Sequence, residues 1–135
     1  MITVDTQVSG LAETIAALQA LRSTDALYEA QDQAIEVLHE AARDYPPELP
    51  NQRYVRTEWL KTGWGQPTIS QSGDTLTARI TNTVRYAQFV QGDGTQARIH
   101  QGRWETVGQI ADRLEDRVVG IIEAGADAWL AGAGF

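Results

Sequence analysis

Two histidines, His39 and His100, are the residues of this 135-residue chain best suited to act as general bases or zinc ligands. Neither has a second histidine four residues away, and neither belongs to an HExxH sequence, the spacings that place imidazoles around zinc. His39 stands in a predicted helix beside two glutamates and an arginine, where a solvated surface histidine is expected. His100 follows Arg98 closely and is interpreted as a contact residue. The histidines therefore predict no catalytic site and no metal site.

The acidic residues near the C-terminus are the next candidates for chemistry. Four carboxylates alternate with two arginines on the last predicted helix: Asp112, Glu115, Asp116 and Glu123 with Arg113 and Arg117. Opposite charges three or four residues apart are neighbours on a helix surface. The pattern therefore favours a solvated, ion-paired helix face over a pair of acid and base carboxylates.

A glycine-rich loop, Gly92-Asp93-Gly94-Thr95, resembles a phosphate loop only superficially. No lysine and serine follow it, and it does not open a helix as a dinucleotide-binding loop would. The chain also lacks the GxSxG sequence that presents a serine nucleophile. We therefore predict that the protein is not an enzyme and binds no cofactor.

Composition disfavours or excludes further classes of function and kinds of site. The net charge of −7 and the pI near 4.7 disfavour a nucleic-acid clamp, which needs a basic face. An acidic surface is suited to a channel through which DNA slides without binding. The chain has no cysteine, so disulfides and thiolate metal sites are excluded. We find no secretory signal and no apolar run long enough to span a membrane, and expect a soluble protein made in the cytoplasm.

Hydrophobic periodicity predicts one α+β domain over residues 1–135. The predicted elements are a strand over 2–8, helices over 10–22 and 25–44, a short helix over 57–62, a hairpin of strands 67–71 and 75–82, a loop over 91–102 and a helix over 104–131. Pro46 and Pro47 end the second helix because proline cannot continue helical hydrogen bonding. We expect a small antiparallel sheet of about four strands, packed with two N-terminal helices and one long C-terminal helix.

The aromatic residues carry the strongest functional signal. Trp59 and Trp64 stand in a short polar-rich stretch where burying both indoles is difficult, and such residues are common at protein interfaces. The alternative is that they cover an edge of their own sheet. Our candidates for a subunit interface, or for anchoring the adjacent loop, are Trp59, Trp64, Tyr86, Phe89, Arg98 and Trp104. Alanine at 59 or 64 is predicted to impair assembly more than folding.

Four stretches carry a resemblance to a known family: Val8-Ser9-Gly10-Leu11 at the first strand–helix junction, residues 56–64, Tyr86-Ala87-Gln88-Phe89-Val90-Gln91-Gly92, and Ala97-Arg98-Ile99 before the last helix. Together with the order of elements, they resemble the small morphogenesis proteins of tailed bacteriophages that complete the tail or join head to tail. Four departures from the family pattern are Glu58 in place of glycine, Thr62-Gly63 in place of a serine, Gln91 in place of an acidic residue, and Ile99 in place of proline.

The resemblance implies a structural virion protein in the neck or tail, assembled in the host cytoplasm. It implies a homo-oligomeric ring, commonly a hexamer, that contacts the neighbouring connector and the tail-tube or tail-terminator proteins. DNA would pass through the lumen without specific binding, and a tail terminator is a nearby variant of the same role. The alternative function is a small non-catalytic domain that binds a peptide or ligand in an aromatic pocket around Tyr86 and Phe89.

Overall fold

The computed structural model describes residues 1–9, 25–48, 50, 58–73 and 75–132. Along the chain these residues form β1 (Ile2–Val8), α1 (Asp25–Ala42), α2 (Trp59–Thr62), β2 (Thr68–Ser72), β3 (Thr75–Asn82), α3 (Ala87–Gln91), a 3₁₀ helix (Arg98–His100) and α4 (Val107–Gly132). The α+β class and the long C-terminal helix are confirmed.

The sheet is antiparallel, with strand order β1-β3-β2. The described part of the chain therefore contributes three strands, where about four were predicted. The helix predicted over residues 10–22 lies outside the described residues and stays a prediction.

The N-terminus of α4 differs from the predicted one. α4 begins three residues later than predicted because Thr106 and Gln109 exchange hydrogen bonds across its first turn. The Gln109 side chain accepts from the Thr106 backbone N–H at 2.9 Å, and the Thr106 hydroxyl accepts from the Gln109 backbone N–H at 3.2 Å. This reciprocal capping box defines a helix N-terminus. Trp104 consequently precedes the helix instead of lying in its first turn.

The two faces of the sheet have opposite character because strand side chains alternate. On β3, Leu76, Ala78 and Ile80 are buried against the helices, as the alternating pattern predicted. The opposite face is polar, and its one described ion pair joins Arg79 to Asp5 on β1 at 2.7 Å. The described helices therefore cover the face of the sheet that carries Leu76, Ala78 and Ile80.

The helices α1 and α4 pack closely against each other over the sheet. A Cβ atom added at Gly125 on α4 would overlap the Cβ of Ala30 on α1. Ala30 and Ala34 are buried on the same side of α1, so small residues permit the close approach. The glycines of α4 do not interrupt it, and its 26 residues extend about 39 Å.

The prediction of a solvated His39 is wrong: only 4% of this residue is exposed. The buried face of α1 contains Leu27, Gln31, Ile35 and His39, which recur every four residues. His39 is therefore carried into the interior by the same helical phase that buries Ile35. Within the described residues its closest charged partner is Glu36, one helical turn earlier, at 3.9 Å.

Two buried clusters lie near the two ends of α1. Trp129 near the end of α4 packs with Leu27 and Leu76 at the N-terminal end of α1. A second cluster, described below, adjoins Tyr45, which follows the C-terminal end of α1. The 18 residues of α1 separate these ends by about 27 Å.

Candidate functional site

The second buried cluster is the scaffold for the candidate interface residues. It contains Leu60 of α2, Ala87 and Val90 of α3, and Trp104. Tyr45 packs against it, with its ring centroid 4.7 Å from that of Trp104 and the two rings tilted by 53°. Elements that are far apart in the sequence therefore meet at one end of the protomer.

Two buried side-chain amides hold α2 and α3 in place. Asn82, fully buried at the end of β3, donates to the Leu60 carbonyl at 2.8 Å and accepts from the Val84 N–H at 3.0 Å. Gln91, which is 2% exposed, donates to the Ala42 carbonyl at 3.1 Å. Each amide thereby joins backbone groups that belong to different elements, and such satisfied buried networks fix one arrangement.

The loop after α3 is organised by its own polar side chains. The Gln96 amide donates to the carbonyls of Val90 and Trp104, both at 2.8 Å. The Thr95 hydroxyl donates to the Gln88 carbonyl at 2.6 Å. Glycine is required at Gly92 because a Cβ atom there would overlap the Gln88 carbonyl and the Thr95 side chain. The glycine-rich sequence therefore serves a tight loop.

Four large side chains project outward from this scaffold. The exposed fractions are 68% for Trp59, 40% for Tyr86, 50% for Phe89 and 77% for Ile99. We call these four residues the aromatic patch. Burying such side chains contributes about 1.5–3 kcal/mol each, so a group of exposed ones at one end of the protomer is a candidate surface for binding a partner.

The members of the aromatic patch lie at the same end of the protomer. Trp59 and Phe89 each adjoin a residue of the second buried cluster, and Tyr86 and Phe89 are three residues apart around α3. The Phe89 carbonyl accepts a hydrogen bond from the Ala97 N–H at 2.7 Å, which brings the turn containing Ile99 beside α3.

Two of the predicted interface residues are buried in the protomer. Trp64 is 4% exposed and packs in the core between the sheet, α1 and α4, a cluster that also contains Ile35 and Ile80. Its indole N–H donates to the Gln91 side chain at 3.3 Å. Trp104 is 5% exposed beneath Tyr45. Both indoles stabilise the protomer, so alanine at position 64 is now expected to impair folding, contrary to the prediction from sequence. The other four predicted residues, Trp59, Tyr86, Phe89 and Arg98, lie in or beside the aromatic patch.

Several contributors to this surface were not among the residues predicted from the sequence. Ile99 is the most exposed member of the aromatic patch. Two more cationic side chains, Lys61 and Arg85, accompany the predicted Arg98, and each of the three stands within two residues of a patch member. A lone isoleucine in the polar sequence TQARIHQG was the available signal for Ile99.

Two ionisable groups beside the Trp104 ring respond to their burial. Desolvation raises the pKa of the Tyr45 hydroxyl well above its ordinary value, so it stays neutral. Desolvation, assisted by the nearby Arg103 guanidinium, lowers the pKa of His100 below its ordinary value, which favours the neutral imidazole. Among the residues that the structure describes, no group of three or more His, Asp or Glu side chains is arranged to hold a metal ion.

Glu58 precedes α2 with a backbone conformation that favours glycine, φ 65° and ψ 0°. Its carbonyl accepts from the Thr62 N–H at 3.0 Å and the Thr62 hydroxyl at 3.1 Å, which holds this left-handed geometry. We expect Glu58→Gly to be more stable than Glu58→Ala by about 0.5–1 kcal/mol, because only alanine retains the unfavourable Cβ contact. Urea denaturation of both variants measures the difference, and an alanine variant as stable as the glycine variant would contradict it.

No protein-family model, curated protein or solved structure matches this chain. Within the described ranges, no helix combines the length and the apolar character needed to cross a membrane.

Proposed function

We propose that this chain is a structural virion protein, a subunit of a ring at the head–tail junction of a tailed phage or phage-like particle. It completes the tail or joins head to tail, without catalysis and without a cofactor. The observation that carries the proposal is the aromatic patch, an exposed apolar surface held on a rigid scaffold. The resemblance of the sequence to the phage morphogenesis family is the reason for placing this interface in a head–tail junction.

The geometry of the aromatic patch supports a protein-binding role. Aromatic side chains and arginine are enriched at the centres of protein interfaces, and this surface combines both. Buried amides and short hydrogen bonds fix the segments that carry Trp59, Tyr86 and Phe89. A preorganised surface loses little conformational freedom on binding, which favours association.

The backbone at Glu58 also agrees with the resemblance. The phage family has glycine at the corresponding position, and the left-handed conformation of Glu58 is one that glycine adopts without strain. The local fold around α2 therefore keeps a geometry suited to the family residue even though the side chain differs.

In this role the partners are other copies of the chain, in a ring that we propose is a hexamer, and the adjoining connector, tail-tube or tail-terminator proteins. The net charge of −7 suits a lumen through which DNA passes, since like charges repel. The protein would assemble in the host cytoplasm and reside in the neck or tail of the virion. A tail terminator, which caps the finished tube, is the nearest variant of this function.

The proposal predicts concentration-dependent rings that depend on Trp59. Light scattering of the purified chain across a range of concentrations should show growth to a closed oligomer, and negative-stain images should show a central channel. Trp59→Ala is expected to weaken assembly about 30-fold, the effect of removing a central interface aromatic. Its circular dichroism spectrum should match that of the original chain, because the indole is 68% exposed.

Val119→Ala is the matched control, since Val119 is an exposed apolar residue on α4 outside the aromatic patch. This variant should assemble like the original chain. Equal assembly of the Trp59→Ala variant and the original chain would remove the aromatic patch from the interface.

A small-ligand-binding domain remains the second candidate, supported by a groove of about 320 Å³ beside Trp104. Tyr45, Pro46, Gln91 and Ile110 also line this groove, whereas the alternative from sequence expected a pocket around Tyr86 and Phe89. Such grooves are of the size that small ligands occupy. A chain that stays monomeric and shows saturable binding of a small molecule would favour this function over the ring.

A further inference from the structure

A groove between α1 and α4 is a counterpart to the aromatic patch. It has a volume of about 530 Å³ and is open to solvent. Its floor is apolar and built from small residues with one larger side chain: Ala30, Gly120, Ile121, Ala124, Gly125 and Ala128. Two carboxylates, Glu29 of α1 and Asp116 of α4, lie at its rim beside Gln33 and Arg117. We call this surface the α1–α4 groove.

The helices that form this groove are strongly acidic. α1 carries five carboxylates and no lysine or arginine. α4 carries five carboxylates and two arginines, and one of these, Arg113, is already paired with Glu105 through two hydrogen bonds of 2.8 Å. The surface around the α1–α4 groove is therefore negative.

The aromatic patch has the opposite charge. Lys61, Arg85 and Arg98 flank its apolar residues, while Glu58 is the carboxylate next to Trp59. An apolar projection with a cationic rim thus faces outward at one end of the protomer. The α1–α4 groove, with an apolar floor and an anionic rim, lies toward the other end of α1.

We propose that the aromatic patch of one copy binds the α1–α4 groove of the next copy. The two surfaces complement each other in charge, which gives association both speed and specificity. Because they lie at different ends of the same protomer, the contact is heterologous, and repetition of it builds a ring or a filament. This inference rests on the proposed ring function and adds the surface to which the patch binds.

Charge reversal tests the pairing. The patch variant carries Arg85→Glu and Arg98→Glu, and the groove variant carries Glu29→Arg and Asp116→Arg. Each should weaken self-association at least about tenfold, because like charges then face each other. The chain that carries all four substitutions should regain self-association, since its patch is acidic and its groove basic. Light scattering across a concentration series provides the measurement, and circular dichroism confirms folding.

A matched control carries Asp32→Arg and Asp112→Arg, which make the same charge change, one on each helix, at exposed positions outside the groove lining. It should assemble like the original chain. Added salt should weaken association of the original chain, because exposed charges are screened over about 10 Å at 0.1 M ionic strength.

Contrary outcomes separate the two proposals. If the groove variant assembles normally while the patch variant does not, the patch binds another surface, and only the present inference is overturned. The inference also fails if the chain with all four substitutions folds but does not regain self-association. It fails as well if the groove substitutions unfold the protomer, because the groove residues would then be part of its internal packing. An original chain that is monomeric at every concentration overturns this inference and the proposed ring together.

Discussion

Replacing Trp129 with alanine is expected to lower the free energy of unfolding by about 3–5 kcal/mol, the usual cost of truncating a buried tryptophan. Trp129 is 1% exposed and is among the largest fully buried side chains in the described structure. It joins the end of α4 to Leu27 of α1 and Leu76 of β3. Its loss would leave a cavity where both helices meet the sheet, and a small domain has only about 5–15 kcal/mol of total stability.

Urea denaturation followed by circular dichroism, at a protein concentration where the chain is monomeric, measures this effect. Trp59→Ala is the matched control, because it makes the same truncation at an indole that is 68% exposed and should change stability by no more than about 0.5 kcal/mol. The indole N–H of Trp129 has no hydrogen-bond partner among the described groups. Trp129→Phe should therefore retain most of the stability, since packing is the main contribution. Similar losses at positions 59 and 129 would contradict the assignment.

The second large effect is expected from Gln31→Leu, which should cost about 2–4 kcal/mol. Gln31 is completely buried on α1, where its amide oxygen accepts from the Thr6 hydroxyl at 2.6 Å. Its amide nitrogen donates to the carbonyls of Thr6 and Leu76, at 3.2 and 2.8 Å. Leucine has a similar size but makes none of these bonds, so polar groups on two strands would lose a buried partner. The cost arises from desolvated groups that are left unpaired.

Gln33→Leu, the same replacement at an exposed position of the same helix, is the control and should change stability by no more than about 0.5 kcal/mol. A double-mutant cycle with Thr6→Val measures the interaction between the Thr6 hydroxyl and the Gln31 amide, because valine removes the hydroxyl that donates a hydrogen bond to Gln31. We expect Thr6→Val to lower the free energy of unfolding less in the Gln31→Leu variant than in the original chain. Additive effects would show that the hydroxyl and the amide do not interact.

The sequence alone was sufficient for the local elements whose side chains repeat with a clear period. The alternation of Leu76, Ala78 and Ile80 identified β3, and the turn at Gly73 identified its hairpin with β2. The apolar residues of α4, spaced by three and four, identified the long helix. These patterns are reliable because backbone geometry sets the period within a few neighbouring residues.

Helix boundaries and the burial of polar residues on α1 were harder to predict. Polar residues on the buried face, Gln31 and His39, appear solvated when only their chemical type is considered. Their burial depends on partners that lie far away in the sequence, such as Thr6 and Leu76 for Gln31. A helix pattern shows which residues share a face, but it does not show which polar residues the sheet can satisfy.

For the same reason, the sequence did not show which of the candidate interface residues are exposed. Trp59 and Trp64 occupy one polar-rich stretch, yet the first is exposed and the second is buried. Trp64 is buried because it lies beside the end of β3 and donates to Gln91, 27 residues later. Trp59 and Phe89 reach the same end of the protomer because Asn82 and Gln91 tie their helices to the scaffold. Sequence therefore determined which aromatic residues were available, whereas long-range hydrogen bonds and packing determined which of them face outward.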